Sequence, residues 1–354
     1  MVLSRIFLTF MVFMNSVCSI ELPEISTKQS INNLRFISED GKFTFYQRRS
    51  GSLLLSTNYN TEEVLKGPIG TQYTVTSSKS RKLNLIEQSI NFHTYLSVRK
   101  TSKIYYSDFG KKNIKYIGEG IDARLHEDDV WISYYSPFKN TLHFSNVVNP
   151  SASFKIILQN IKNPYFIPQR EMLSSKTILY TDVNKEGKNG LIIFDRANSK
   201  SDLLQKSDDV FIQYELCTTQ EDIYIGSFSA SPETPYSSIA KYSKLDFNLG
   251  KGSILYDNNK SDLGHMICDH KKDTIYFIKD LSKEYKKTGY EVAKLDTVTK
   301  KVSIESSLKW VNSVLNMDGR LLIPFRGTYY VLEGDKNEST KDNLSKKTQE
   351  KVVK

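Results

Sequence analysis

Short runs of alternating apolar and polar residues recur along this chain at a nearly constant interval. Each run is rich in β-branched and aromatic residues, which is typical of β-strands, and a polar turn precedes it. A second such run follows after a loop. The first runs begin near residues 43, 92, 130, 177, 222, 274 and 320, so neighbouring units lie 38 to 52 residues apart. No amphipathic helical pattern interrupts them, and the sequence therefore predicts an all-β protein.

Units of this length fit the four-stranded blades of a β-propeller, which take about 40–50 residues each. Packing blades face to face around a ring buries both faces of every small sheet and leaves only short outer edges. We therefore predict a seven-bladed β-propeller, with six or eight blades and a pair of β-sandwiches as alternatives. Inner strands are predicted at residues 73–75, 165–167, 212–216 and 265–267, and outer strands at residues 62–65, 115–117, 154–157, 253–256 and 302–304.

The first residues have the layout of a secretory signal peptide: Arg5, an apolar run over residues 6–14, then small residues. The run is too short to span a bilayer, which takes about 20 residues. We predict a signal peptide over residues 1–19 and export to the periplasm or the medium, with cleavage after Ser19. Lipid attachment at Cys18 and a buried N-terminal helix are the alternatives. No later stretch has the length and apolarity of a membrane span, so the mature chain is expected to be soluble.

The last predicted blade lacks one strand. Residues 335–354 contain six lysines, four acids and only three large aliphatic residues, which predicts a disordered tail. We expect the missing outer strand to come from residues 20–25, paired beside residues 328–332, so that the mature N-terminus closes the ring. Pro23 is compatible with this position, because an outermost strand has one edge that makes no ladder hydrogen bonds. The predicted propeller domain spans residues 20–334.

Two turns carry a sequence that resembles a known repeat. Asp40-Gly41-Lys42 and Asp318-Gly319-Arg320 each precede a predicted strand, and Ser38-Glu39 stands before the former. The pattern resembles the Ser-Pro-Asp-Gly-Lys repeat of TolB-type (WD40-like) propellers, with Glu39 in place of the proline. The resemblance implies a propeller in the cell envelope. It also implies a structural role for the Asp-Gly pair, which makes the hairpin turn, and no catalytic residue.

Composition limits the classes of protein that this chain can belong to. Of the 354 residues, 39% are hydrophobic, and 49 Lys and Arg stand against 40 Asp and Glu, for a net charge of +9. That apolar content excludes wholesale disorder, and the even mixture of polar residues excludes a multi-span membrane protein. Three cysteines are too few for a disulfide-dense scaffold.

Charge is distributed unevenly between the two predicted sets of loops. Loops between second and third strands (residues 47–51, 98–102, 136–140, 182–190, 227–238, 279–291 and 324–327) hold twelve bases and six acids, net +6. Loops between first and second strands (residues 38–42, 87–91, 126–129, 174–177, 218–222, 269–273 and 317–320) hold five bases and eleven acids, net −6. These sets open on opposite faces of a propeller, and a positive field attracts anions. The predicted basic rim comprises Arg48, Arg49, Arg99, Lys100, Lys139, Lys286, Lys287 and Arg326.

Two cysteines remain after the predicted cleavage, Cys217 and Cys268. An exported pair can form a disulfide, but these residues hold nearly equivalent places in adjacent predicted blades. A disulfide needs Cα atoms within about 7 Å, and inner strands of different blades are expected at or beyond that separation. We therefore expect buried thiols and keep a disulfide as the alternative.

Residues 182–187 resemble the start of a calcium-binding loop. Glu186 stands where a third short acceptor is needed, and Ile193 stands where the bidentate glutamate should be, so we predict a hairpin turn. The five histidines show no metal-binding spacing, and no phosphate loop, nucleophile elbow or dinucleotide fingerprint occurs. No catalytic residue, metal ligand or cofactor is predicted.

Two acidic turns contain histidine, at residues 126–129 and 269–273. The pair Asp128 and Asp129 could act as acid and base, but a solvated turn is the simpler interpretation of these turns.

The leading functional hypothesis is an exported, non-catalytic propeller that binds a partner protein or an anionic envelope component through the basic rim. The long loops at residues 227–238 and 279–291 are further expected contacts. We expect a monomer, and a nucleic-acid partner is disfavoured because an exported protein rarely meets one. The alternative is an enzyme acting on polysaccharide at the axial funnel, which requires two carboxyl groups facing each other at about 5–10 Å.

Overall fold

The computed structural model describes residues 34–38, 40–57, 60–78, 80–90, 101–126, 129–158, 167–184, 186–207, 212–229, 235–259, 264–269, 273–280, 290–304, 315–317, 320–325 and 328–332. These residues form strands, two short 3-10 segments at Pro150–Ala152 and Leu249–Lys251, and no α-helix. No helix within them could cross a membrane. The predicted signal peptide, the strand predicted at residues 20–25 and the predicted tail lie outside these ranges.

The described strands, in chain order, are β1 (Leu34–Ile37), β2 (Phe43–Gln47), β3 (Leu53–Thr57), β4 (Thr61–Leu65), β5 (Thr71–Ser77), β6 (Leu83–Ile90), β7 (Ser102–Asp108), β8 (Ile114–Leu125), β9 (Trp131–Ser136), β10 (Thr141–Asn146), β11 (Phe154–Ile157), β12 (Arg170–Met172), β13 (Thr177–Val183), β14 (Asn189–Asp195), β15 (Lys200–Lys206), β16 (Ile212–Thr218), β17 (Asp222–Ser229), β18 (Tyr236–Ser243), β19 (Ser253–Asn258), β20 (Gly264–Asp269), β21 (Thr274–Asp280), β22 (Tyr290–Asp296), β23 (Val302–Ile304), β24 (Leu315–Met317), β25 (Arg320–Phe325) and β26 (Thr328–Leu332). Hydrogen bonds join them in the sheets β1–β4, β5–β11, β12–β15, β16–β19, β20–β23 and β24–β26.

One long strand links two four-stranded units. β8 pairs with β7 as far as Gly120 and with β9 from Ile121 onward, and a bulge between Ile121 and Arg124 interrupts the pairing with β9 just after this change of partner. Asp122 lies in the bulge with a φ of 53°. If β8 is divided there, the described strands form seven consecutive groups, which we call blades 1 to 7. The number of blades in the whole chain and the closure of the ring stay predictions.

Clusters of buried apolar side chains lie between consecutive blades. Two stacked sheets would instead share one common core, so this serial packing contradicts the β-sandwich alternative and fits a propeller. β24, in the last described blade, contacts β5, the inner strand of blade 2. Examples of side chains that share a cluster are Phe45 and Val75 (blades 1 and 2), Leu85 and Ile132 (2 and 3), Phe144 and Met172 (3 and 4), Leu191 and Ile223 (4 and 5), and Tyr224 and Phe277 (5 and 6).

Antiparallel pairing defines two faces of the molecule. Turns between strands 2 and 3 of a blade lie at the same edge as the connection to the next blade, and we call this the 2–3 face. Turns between strands 1 and 2 and between strands 3 and 4 lie at the opposite edge, which we call the 1–2 face.

The predicted position of the second repeat is wrong. The sequence predicts its first run at residues 91–97, which lie outside the described residues, and the strand that the structure places between β5 and β7 is β6 at Leu83–Ile90. Both segments alternate apolar and polar side chains, so only the pairing partners distinguish them. Of the inner strand predicted at residues 165–167, residues 165 and 166 lie outside the described residues and Ile167 is not in a strand; the inner strand that the structure describes for blade 4 is β12 at Arg170–Met172.

The expectation of buried thiols is wrong as well. Cys217 and Cys268 form a disulfide, with their Cα atoms 5.8 Å apart. Cys217 pairs with Tyr224 and Cys268 pairs with Ile275, so the cysteines occupy equivalent positions on the inner strands of blades 5 and 6. These inner strands contact each other directly, because the blades of a propeller converge toward the ring axis.

Candidate binding surface

The structure describes three residues of the basic rim. Arg48 and Arg49 lie in the turn between β2 and β3, Lys139 lies in the turn between β9 and β10, and all three are exposed. Their turns belong to the 2–3 face, as the sequence predicts. The other five residues lie outside the described residues: Arg99, Lys100, Lys286, Lys287 and Arg326.

The Arg48 turn is fixed to the connection between blades 1 and 2. The carbonyl of Gly51 accepts hydrogen bonds from the Gly67 amide at 3.1 Å and from the Tyr73 hydroxyl at 2.9 Å. Gly51 has a φ of 94°, and a Cβ atom at this position would lie 2.3 Å from the carbonyl oxygen of Pro68. Only glycine permits this close approach of the two loops.

An isoleucine occupies the tip of the connection. The Thr71 amide donates to the carbonyl of Pro68 at 3.1 Å, and Gly70 has a φ of 90°. This is the arrangement of a type II turn, which requires a positive φ at its third residue and places Ile69 at its second. The side chain of Ile69 is consequently 84% exposed.

Lys66 and Pro68 are exposed on the same connection. Lys66, Pro68 and Ile69 are not among the residues predicted from the sequence, although Gly-Pro-Ile-Gly at residues 67–70 is a recognisable turn signal. We call the following set the Arg48 patch: Arg48, Arg49, Lys66, Pro68 and Ile69.

A second basic and apolar pair lies on the 2–3 face of blade 3. Phe138 is 63% exposed beside Lys139, at the turn between β9 and β10. Asn140 and Leu158 hold this turn against the connection to blade 4: the Asn140 side-chain amide donates to the Leu158 carbonyl, and the Leu158 amide donates to the Asn140 carbonyl, each at 3.0 Å.

The predicted negative charge of the opposite face is too large. Residues 87–91 belong mainly to β6, and the turn between β5 and β6 lies at residues 78–82. This turn contains Lys79, Arg81 and Lys82. With the corrected turn the first set of loops holds eight bases and ten acids, so its net charge changes from −6 to −2. The positive charge of the 2–3 loops is unaffected.

The 1–2 face contains a cleft of about 730 Å³ between blades 4 and 5. Leu245, which is 97% exposed, stands at this cleft together with Phe247, Glu221 and Asp246. Its charged lining residues are two acids and one base, Lys244, whereas the charged residues of the Arg48 patch are all basic.

A polar network joins the inner strands of blades 3 and 4. Arg170 is fully buried and donates from Nε to Ser133 Oγ at 2.8 Å and from Nη1 to Asp122 Oδ2 at 2.9 Å. Arg124 donates from Nε to the same carboxylate oxygen at 3.0 Å and from Nη2 to Gln169 Oε1 at 2.8 Å. Burial lowers the pKa of Arg170 to about 10, although the Asp122 carboxylate opposes this shift.

The prediction of a solvated turn at residues 126–129 is wrong for the two residues that the structure describes there. His126 and Asp129 are both buried, and the Ser80 hydroxyl of blade 2 donates to the Asp129 carboxylate. His126 Nε2 lies 2.9 Å from Ser133 Oγ. Ser133 Oγ also accepts from Arg170 Nε, so His126 belongs to the same buried network. Asp128 and His270 lie outside the described residues.

The inner-strand carboxylates that could line the axial funnel already have protein partners. Asp122 pairs with two arginines, Glu171 accepts from Thr218 Oγ1 at 3.2 Å, and Glu215 accepts from the Met266 amide at 2.6 Å. The bonds from Arg170 to Asp122, from Thr218 to Glu171 and from Met266 to Glu215 each cross from one blade to the next, so these carboxylates connect blades.

A raised carboxyl pKa, which an acid catalyst needs, occurs away from the inner strands. Burial raises the pKa of Glu87, which lies on the second strand of blade 2 and accepts from the Ala123 amide of blade 3 at 3.2 Å. Within the described ranges no cluster of three or more acidic, histidine or cysteine side chains could hold a metal ion. The calcium-like segment is a hairpin turn between β13 and β14, as predicted, in which Asn184 Oδ1 accepts from the amides of Glu186 and Lys188.

No protein-family model and no curated protein matches the sequence. Solved structures do resemble the fold. The β-propeller domain of the Trilobed protease from Pyrococcus furiosus has a TM-score of 0.51 and 13% identity, over 75% of this chain and 83% of that chain. The β-propeller domain of Cps50 (Swd1) from Myceliophteria thermophila has a TM-score of 0.53 and 10% identity, over 88% and 99%. This chain is a β-propeller.

A third match includes an enzyme. An acylaminoacyl peptidase from Pyrococcus horikoshii has a TM-score of 0.50 and 12% identity, over 75% of this chain. The match covers only 46% of the peptidase chain. Identities this low concern the fold alone, so neither peptidase activity nor the TolB-type resemblance follows from these structures.

Proposed function

We propose that this propeller is an exported, non-catalytic binding protein whose 2–3 face takes up an acidic partner protein. The observation that carries the proposal is the exposure of Arg48, Arg49 and Lys139. Among the described residues none of their side chains has an ion-pair partner. Cations that are not neutralised within the fold attract an anionic partner and raise its association rate.

A protein is favoured over an anionic polymer because exposed apolar side chains accompany these cations. Ile69 and Phe138 are both on the 2–3 face and mostly exposed. Protein interfaces combine an apolar centre with a polar rim, whereas a polyanion without apolar groups would leave these side chains in water.

Two observations support export. The N-terminal residues have the pattern of a signal peptide, and Cys217 and Cys268 form a disulfide. Structural disulfides persist mainly in oxidising compartments such as the periplasm and the extracellular space. The TolB-type resemblance of the Asp-Gly turns agrees with an envelope location.

The test is charge reversal on each face in turn. The variant Arg48→Glu, Arg49→Glu and Lys139→Glu changes the 2–3 face. The control Lys111→Glu, Lys176→Glu and Lys301→Glu makes the same change in net charge at exposed lysines of the 1–2 face. Immobilised poly-glutamate and heparin serve as the acidic peptide and polysaccharide probes.

We expect the 2–3 variant to lose at least about tenfold in affinity for poly-glutamate and the control to keep its affinity. If both variants lose the same affinity for poly-glutamate, the binding depends only on the net charge of the protein, and the proposal is contradicted. Binding of heparin but not of poly-glutamate would replace the protein partner by an anionic polysaccharide.

A further inference from the structure

We infer that the Arg48 patch docks a segment of the partner that alternates acidic and apolar side chains, with Ile69 as the apolar anchor. This inference rests on the proposed function and specifies its ligand chemistry. It assigns a central role to Ile69, Lys66 and Pro68, which lie outside the predicted basic rim.

The exposure of Ile69 is imposed by the turn itself. The second residue of a type II turn projects from the protein, and the closing hydrogen bond between Thr71 and Pro68 keeps it there. Turn positions favour small or polar residues, so an isoleucine with 84% exposure carries an unfavourable hydration cost in the free protein. Contact with an apolar group of a partner removes that cost.

The patch is held in place before any partner arrives. The Thr71 hydroxyl donates to the Pro68 carbonyl at 2.7 Å, and the Gly67 amide donates to the Gly51 carbonyl at 3.1 Å. Gln88 Nε2 donates to the Tyr73 hydroxyl at 2.9 Å, which keeps that hydroxyl on Gly51. A preordered surface loses little conformational entropy on binding, and this favours tight recognition.

The charged residues of the two loops have one sign. Arg48 and Arg49 lie on one loop and Lys66 lies on the other, and neither residues 48–52 nor residues 66–70 contain an acid. All three cations are exposed. Charge complementarity therefore selects carboxylates on both sides of the apolar contact.

The experiment measures the fluorescence anisotropy of two labelled peptides. They have equal length and equal glutamate content, and one has leucine where the other has serine at alternate positions. The protein variants are Ile69→Ser, which preserves the turn, and Leu245→Ser, which removes a still more exposed apolar side chain from the cleft on the 1–2 face. Circular dichroism checks that each variant is folded.

We expect the unmodified protein to bind the leucine peptide about tenfold more tightly than the serine peptide, because burying an isoleucine side chain against an apolar group raises the binding affinity by about tenfold or more. Ile69→Ser should remove this preference and keep the affinity for the serine peptide, whereas Leu245→Ser should change neither.

Four results would overturn the inference. If the unmodified protein binds both peptides equally, or if the preference survives Ile69→Ser, the anchor is wrong while the proposed basic face stands. If Leu245→Ser removes the preference, the cleft on the 1–2 face is the docking site. If charge reversal at Arg48, Arg49 and Lys139 affects neither peptide, the proposed function itself fails.

Discussion

The Arg170 guanidinium donates hydrogen bonds both to the side-chain carboxylate and to the main-chain carbonyl of Asp122. Nη1 donates to Oδ2 at 2.9 Å, and Nη2 donates to the carbonyl oxygen of the same residue. Asp122 lies at the bulge where the chain passes from blade 2 to blade 3, in the left-handed region with a φ of 53°. The arginine thus comes from blade 4 and stabilises the junction between the two preceding blades.

Replacement of Arg170 by methionine should therefore lower the free energy of unfolding by about 1–3 kcal/mol, because Ser133 and the Asp122 carbonyl lose a buried donor while the Asp122 carboxylate keeps Arg124 as its ion-pair partner. Arg170→Lys should not restore stability, since an ammonium group cannot donate to Ser133 and to both Asp122 oxygens in one plane. Urea denaturation followed by tryptophan fluorescence measures the loss. Full stability of the methionine variant would show that the guanidinium is dispensable.

The disulfide between Cys217 and Cys268 should contribute strongly to stability. It closes a loop across a sequence separation of 51 residues, for which the chain-entropy treatment gives about 4 kcal/mol. Replacing both cysteines by alanine should lower Tm, and reduction of the unmodified protein should lower it by a similar amount. Thiol titration of the unfolded, unreduced protein should detect neither cysteine, and two reactive thiols there would refute the bond.

His143 should make the protein sensitive to acid. Its ring stacks on Tyr134 with centroids 4.7 Å apart, its Nε2 is buried without a hydrogen-bond partner, and burial lowers its pKa to about 4. Its unfolded pKa is about 6.5, so the unfolded chain binds the proton more tightly and stability falls as pH drops from about 6.5 to about 4.

Denaturation midpoints measured across that range should fall less in His143→Phe, which keeps the ring contact and cannot be protonated. If the denaturation midpoint declines equally with falling pH in both proteins, groups other than His143 cause the acid sensitivity.

Glu87 should have the opposite effect on stability. Burial raises its pKa in the folded protein, so stability is greatest where Glu87 is protonated and decreases as pH rises above the usual value of about 4.3. Glu87→Gln retains an acceptor for the Ala123 amide and removes the buried charge. Its Tm should exceed that of the unmodified protein at neutral pH and approach it near pH ~4. A Tm lower at neutral pH would mean that the ionised group is needed.

The sequence predicts the fold class because its signal is repeated along the chain. Any one alternating run is ambiguous, but seven runs at a similar spacing require similar sheets in series. The prediction fails where a strand lacks the alternating apolar pattern. Arg170 begins the inner strand of blade 4, and its burial depends on hydrogen bonds to Asp122 and Ser133. In the sequence alone, an arginine at this position indicates a polar loop.

The candidate surface could be predicted only in part. Arg48 and Arg49 are found because turns between β-runs are visible in the sequence. Ile69 and Lys66 are not, since their place beside Arg48 depends on the packing of one loop against another through Gly51. The disulfide escapes prediction for the same reason: the distance between two inner strands is a property of the assembled ring.

The most direct test of the account is hydrogen–deuterium exchange with and without the leucine-containing acidic peptide. We predict that the bound peptide slows exchange at the amides of residues 48–52 and 66–71, the two loops joined by the Gly67–Gly51 hydrogen bond. The turn at residues 243–247 on the 1–2 face should exchange at the same rate in both samples. Protection of residues 243–247, with no change at residues 48–52 and 66–71, would contradict the assignment of the binding face.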